Sequence, residues 1–285
     1  LHPRVRRQRQ MCIRDRIIFD RRYGSTNTFE KNNYPVGYNL GQSGNTPSQN
    51  LVDAYEMIDG TPFDWNNPEH KSNPYANRDP RLAMSILTNN VEFKDRTIEA
   101  WTGGRDGKGV IHATRTGYYI YKFIDPNLDL LQNRTSVHHW VIMRYAEILL
   151  SYAEAMNEAY GPTGNVGYRL NAVRALNQVR NRVGVEMPAV PTAISKEELR
   201  EKIRNERRVE LAFEDHRFWD VRRWMIAPET LGTPLRGVEI TKISDEEFEY
   251  KPIEVEKRTF EPKMYLYPIP QADLNTTGWV QNPLW

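Results

Sequence analysis

The clearest order in the chain is a helical recurrence of apolar positions that begins near Trp140. Tyr145, Ile148 or Leu149, Tyr152, Ala153 and Met156 follow one another at three- and four-residue steps, with Glu147, Glu154 and Glu158 off that stripe. This is the pattern of an amphipathic helix, and Gly161-Pro162-Thr163-Gly164 breaks it. A second helix is predicted over residues 166–182, with Ala172, Val173, Leu176, Val179 and Val183 on its apolar side and Gly184 as its C-terminal cap. Two such helices joined by a short loop pack as an antiparallel hairpin. A third helix opens at Ser195, which forms a capping box with Glu198, while Ile194 and Leu199 occupy the positions of a hydrophobic staple. It carries Ile203, Val209, Ala212, Phe213 and His216 toward the core, and Pro228 closes the region. Beyond it, residues 244–258 read as a charged loop and residues 264–270 as a strand, followed by an irregular aromatic tail.

The first half lacks this regularity. Between Ile17 and Val137 the chain is rich in Asn, Gly, Pro and Tyr. Residues 49–59 read as a helix, residues 81–87 as an extended segment after the Pro80 breaker, and residues 117–123 (GYYIYKF) as a strand. Long loops, residues 60–78 and 101–109, separate them, and loops of that length in a compact domain are usually functional.

Composition narrows the class. Of 285 residues, 39% are hydrophobic and 27% charged, which excludes a disordered chain. No apolar run approaches the roughly 18 to 20 residues that span a bilayer as a helix. Residues 1–16 (LHPRVRRQRQMCIRDR) stand apart, with six Arg and one acid. Met11 to Arg16 resembles the translation of a transposon adapter used in sequencing libraries, so residues 1–16 are expected to be non-native and the true N-terminus to lie upstream. Removing six Arg and one Asp takes 39 basic and 37 acidic residues to 33 and 36, turning a net charge of +2 into −3. That balance argues against a nucleic-acid partner, which needs a clustered basic face. The single cysteine, Cys12, lies in the same segment, which leaves no disulfide framework and no cysteine-based metal site elsewhere.

Five segments in order resemble the SusD/RagB family of outer-membrane nutrient-binding lipoproteins. They are Asn77-Arg78-Asp79-Pro80-Arg81-Leu82; Thr116-Gly117-Tyr118-Tyr119 with Lys122-Phe123; and residues 143–155 (MRYAEILLSYAEA). Residues 206–224 (ERRVELAFEDHRFWDVRRW) carry the most specific likeness, and Tyr267-Pro268-Ile269-Pro270 with Gln281-Asn282-Pro283 closes the series. Asp215 stands where the family often has Gly. The resemblance implies a mainly α fold, with tetratricopeptide-like helix pairs packed against a loop-rich lobe that holds a few short strands. Residues 17–137 would form the loop-rich, ligand-facing lobe and residues 138–285 the helical region of the same domain. It also implies surface exposure at the outer membrane through an N-terminal lipid anchor missing from this chain, a SusC-like TonB-dependent transporter as partner, and no cofactor. The missing N-terminal helix pairs would leave an apolar face on the first helical hairpin, so poor solubility in isolation is expected.

The charged run 206–224 reads as ion pairs clamping a helix to its neighbours, with Glu206 and Glu210 one turn apart and Arg207 and Asp220 in reach of partners. His138 and His139 are adjacent and diverge on any regular element, so they do not share a metal. The stretch 103–109 (GGRDGKG) fails the phosphate-loop spacing. A glycosidase would need two carboxyls across a cleft, and Asp53, Glu56, Asp59, Asp64, Glu69 and Asp106 offer no selected pair. Sugar recognition fits better. Pyranose rings stack on flat aromatics, while planar polar groups bind their hydroxyls. Trp65, Tyr75 and Trp101 are the candidate platform and Asn66, Asn67 and Arg105 the polar contacts; the opposing reading packs each aromatic under its own loop. Capture of an oligo- or polysaccharide is the expected function. Capture of peptides or another nutrient, a scaffold without a small ligand, and a glycoside hydrolase stay open as alternatives.

Overall fold

A computed structural model describes residues 17–285 of the chain, so the expectations for residues 1–16 lie outside the described residues. Strand β1 (Ile17–Arg22) leads into four short helices, α1 (Thr28–Asn33), α2 (Gln49–Val52), α3 (Pro68–Ser72) and α4 (Pro80–Ser85). The strands β2 (Ile86–Leu87), β3 (Glu92–Phe93), β4 (Arg96–Thr97), β5 (Tyr119–Ile120) and β6 (His139–Arg144) follow. Next come the helices α5 (Tyr145–Tyr160), α6 (Ala172–Arg180), α7 (Lys196–Glu210), α8 (His216–Arg223) and α9 (Ala227–Leu231). A long hairpin, β7 (Leu235–Lys242) and β8 (Phe248–Glu256), a 3₁₀ turn (Pro262–Tyr265) and α10 (Gln271–Thr277) complete the chain. The described strands pair as two-stranded antiparallel ribbons, β1 with β6, β2 with β5, β3 with β4 and β7 with β8.

Local chemistry explains where the elements begin and end. The Ser195 hydroxyl accepts the Glu198 N–H and the Glu198 carboxylate accepts the Ser195 N–H, the capping box read from the sequence. Gly161, at φ +75°, ends α5. The buried stripe of α5 is Ala146, Leu149, Leu150, Ala153 and Met156, one step round from the predicted one, so Tyr145 and Ile148 face outward. Helix α6 starts six residues later than predicted because the Asn171 side chain caps it by accepting the Arg174 N–H at 2.9 Å, and Val183 lies beyond its end and is exposed.

Several expectations are corrected. Residues 80–85 are helical, not extended: the Asp79 carboxylate accepts the Arg81 N–H and Pro80 sits in the first turn, where its missing N–H costs nothing. The helix expected over residues 49–59 stops at Val52, and the strand expected over 117–123 shrinks to Tyr119–Ile120. Residues 264–270 hold a 3₁₀ turn and no strand. The charged loop 244–258 is largely the strand β8, with Ile240 opposite Tyr250 and Lys242 opposite Phe248.

Two apolar cores result. One gathers Tyr34, Tyr55, Leu82, Ile86, Phe93, Tyr118 and Tyr119 from the loop-rich half and draws in Val238, Ile240 and Tyr250 of the hairpin. The other is the packing of α5 against α6 and α7, through Leu150, Ala153, Leu176, Val179, Leu199 and Ile203. Between them runs a seam of buried charge. Arg81 pairs with Asp79, Glu206 and Glu210. Arg144 pairs with Glu210 and Glu214, Lys122 with Glu214 at 2.5 Å, and Arg182 with Glu210 at 2.7 Å. Arg180 bridges Glu206 and Glu56, and Glu56 also takes Lys202. Burial alone would raise the Glu210 carboxyl, but Arg182, Arg144 and Arg81 outweigh it and hold the group well below the ordinary range. Glu214 is lowered in the same way by Lys122 and Arg144.

Candidate ligand-binding face

Trp65 sits in a loop whose polar side chains are spent on its own turns. The Asp64 carboxylate accepts both the backbone and side-chain N–H of Asn66, and the Asn67 side chain caps α3 by accepting the Glu69 N–H. Asn66 and Asn67 therefore shape the loop first. The half-buried Trp65 indole donates to Asp53 at 3.0 Å. Phe63 meets it edge-on at 5.1 Å, and the Arg78 guanidinium lies 4.1 Å from the Phe63 ring centre. Arg78 is itself buried, donating to the carbonyls of Val52, Tyr55 and Pro74, and burial lowers its pKa to about 10. It ties the 52–55 turn to the segment at Pro74.

Tyr75 and Trp101 are joined by residues that the sequence reading passed over. Tyr75 meets Tyr250 at 5.3 Å, Tyr250 lies 6.4 Å from Phe248, and Phe248 lies 5.3 Å from Trp101. Lys242 Nζ stands 5.0 Å from the Trp101 ring. On the other side the Tyr75 hydroxyl reaches the Tyr118 hydroxyl, which donates to Gln49, and Gln49 donates to Asp53, the acceptor of the Trp65 indole. Trp65, Tyr75 and Trp101 thus belong to one connected array of rings and hydrogen bonds. The signal for Phe248 and Tyr250 was present as period-two alternation in Phe248-Glu249-Tyr250-Lys251, but Pro252-Ile253 breaks its phase.

A cleft of about 330 Å³ opens between residues 100–117 and the hairpin, lined by Thr102, Lys108, Arg115, Val238, Glu239 and Glu254 among others, and Trp65, Tyr75 and Trp101 are not part of its lining. Lys108 pairs with Glu239 at 2.6 Å, linking its two walls. The loop is pinned from below by Asp106, fully buried, which accepts from Arg96, Gly37 and Glu99. Gly107 passes so close that an added Cβ would lie 1.7 Å from the Trp101 carbonyl, so its glycine serves packing. Arg105 is exposed and held by Glu99 at 2.5 Å.

Of the carboxylates named for catalysis, Asp53 is engaged with Gln49, Trp65 and Arg236, Glu56 with Arg180 and Lys202, Asp106 with Arg96, Asp59 with Thr61 and Asp64 with Asn66. His138 bonds Glu30 and His139 bonds Asp20. Among the described residues no group of three or more His, Cys, Asp or Glu is placed to hold a metal ion, and no helix is long and apolar enough to cross a membrane.

Comparison with known proteins decides the family. A family model described as the SusD family matches residues 16–285. The chain belongs to the SusD family. This SusD-family chain superposes on a SusD-like protein from Bacteroides fragilis with a TM-score of 0.78 and 31% identity, covering 97% of this chain and 56% of that one. A SusD-like carbohydrate binding protein from the same organism superposes at 0.73 with 30% identity, covering 91% and 53%. SusD-like protein P2 of Formosa agariphila is 34% identical over 120 residues, 40% of this chain and 22% of that protein. The chain therefore spans just over half of those two solved structures and about a fifth of that curated relative.

Proposed function

We propose that this chain is part of a non-catalytic surface glycan-binding protein. It holds oligo- or polysaccharide and passes it to a TonB-dependent outer-membrane transporter, from a lipid-anchored position at the outer face of the outer membrane. The helix pair α5–α6 and the pair α7–α8 would be its tetratricopeptide-like units. The observation that carries this reading is the connected array running from Trp65 through Tyr118 and Tyr75 to Trp101. Rigid rings that are half covered, Trp65 and Tyr75 also fixed by hydrogen bonds at their polar ends, lose little entropy when a sugar face stacks on them. The family, and a relative described as carbohydrate binding, add support.

The test is a glycan array on the full-length protein, with reducing-end product assayed in the same wells. Binding without product supports capture. The double variant Trp65→Ala, Trp101→Ala is expected to fold and to lose at least about tenfold in affinity, roughly 1.4 kcal/mol. A folded double variant with full affinity removes the platform. Product formation replaces capture by hydrolysis, and silence on every glycan favours a peptide or other nutrient.

A further inference from the structure

The polar side chains next to Trp65 in sequence are spent on the turns of their own loop, and the polar surroundings of its indole come from two distant segments instead. One oxygen of the Asp53 carboxylate accepts the Trp65 indole N–H at 3.0 Å and the Gln49 amide at 2.7 Å. The other oxygen accepts the Arg236 guanidinium at 2.9 Å. Residues 53, 65 and 236 therefore meet at one carboxylate, although Arg236 lies on β7, 183 residues beyond Asp53. The Arg236 backbone is fixed as well. Its N–H goes to the Asn50 side chain at 2.7 Å, and Asn50 donates to the Pro234 carbonyl at 3.2 Å.

Arg236 differs from the arginines of the charged seam, which are buried. Its side chain is 44% exposed and that of Asp53 19%. An ion pair this open adds little to stability, so the fold alone does not account for it. A guanidinium is planar, with several N–H donors and no acceptor, and can meet only acceptor oxygens. Asp53 takes one of those donors and supplies the counter-charge, so the others need no anion. Hydroxyl oxygens at the edge of a sugar resting on the half-buried Trp65 ring would satisfy them.

From this geometry we infer that Arg236 is the polar contact of the Trp65 site, giving its remaining guanidinium N–H groups to the hydroxyl oxygens of an uncharged sugar stacked on the indole. The sugar as ligand rests on the proposed function. The polar residues that the sequence suggested for this task are placed otherwise: Asn66 and Asn67 hold the turns of their loop, and Arg105 is held by Glu99.

The experiment titrates the full-length protein by calorimetry with dextran, xylan, galactomannan and mixed-linkage β-glucan. The polymer bound most tightly is then titrated into Arg236→Met, Arg236→Lys and Trp65→Ala. Arg236→Met is expected to fold, because an exposed pair contributes little to stability, and to bind about fivefold more weakly or worse. Arg236→Lys keeps the charge without the planar fork and is expected to lose about threefold or more. Parent affinity should change by less than about threefold between roughly 50 and 500 mM NaCl, because uncharged oxygens are being recognised. Parental affinity in folded Arg236→Met, beside a loss in Trp65→Ala, overturns the role of Arg236 and leaves the platform standing. A larger salt effect, or parental affinity in Arg236→Lys, overturns the contact between fork and hydroxyls. If none of the four polymers binds the parent, the glycan reading fails and this contact fails with it.

Discussion

At the residue scale, the family's charged motif resolves into individual tasks. Arg78 collects backbone carbonyls, Asp79 caps α4, and Arg81 reaches across to Glu206 and Glu210. Glu210 is the most shared of these groups, taking Arg81, Arg144 and Arg182. Glu210→Ala would take one counter-charge from each of Arg81 and Arg144 and the carboxylate partner of Arg182, and is expected to cost about 3–5 kcal/mol in equilibrium denaturation. The pH dependence follows from the sign of the shifts. Glu210 and Glu214 have folded-state pKa values below the ordinary 4.5, so their stabilisation is complete above that value. It is lost progressively as pH falls from 4.5 through the lower folded values. A parent melting temperature independent of pH between 5 and 2 would contradict this.

At the element scale, caps and turns decide most boundaries and yield graded predictions. Ser195→Ala removes a reciprocal cap and is expected to lower stability by about 1 kcal/mol, read from thermal melts. Asp215 sits at φ +63°, a conformation that glycine adopts freely, which accounts for the glycine common there in the family. Asp215→Gly should therefore stabilise by up to about 1 kcal/mol, and Asp215→Val should destabilise, in the same melts. The helices α5 and α7 were legible because their apolar repeat and caps are local. The hairpin was not, because its inward residues are few and Pro252 breaks the alternation. At residues 80–85 Pro80 taken alone signals a break, and only the Asp79 cap turns it into a helix start. Trp65, Tyr75 and Trp101 stood out as aromatics in polar loops. Their link through Phe248 and Tyr250 is a contact across more than 140 residues, which no local pattern encodes.

At the scale of the whole molecule, exposed apolar side chains gather on strands that pair with each other. Ile18 and Phe19 on β1 and Ile142 and Met143 on β6 are all more than 40% exposed, and Ile148 on the adjoining helix is 41% exposed. A protein of residues 17–285 alone is expected to self-associate, seen as light scattering that grows with concentration. A monomer that melts cooperatively at high concentration would count against this.

The charged seam between the two cores also determines how the halves find each other. Apolar surfaces tolerate sliding, since a displaced methyl group usually meets another. Here a shift of one turn would leave several carboxylates and guanidiniums in the dark without counter-charges, at several kcal/mol each. Near-native misalignments should therefore be rare, and assembly should behave like a keyed joint. Replacing Arg81, Glu206 and Glu210 together by methionine or leucine would leave Asp79 and Arg182 without their partners and is expected to lower stability. It should also broaden the set of docked arrangements, visible as extra resonances in a spectrum that shows a single set for the parent.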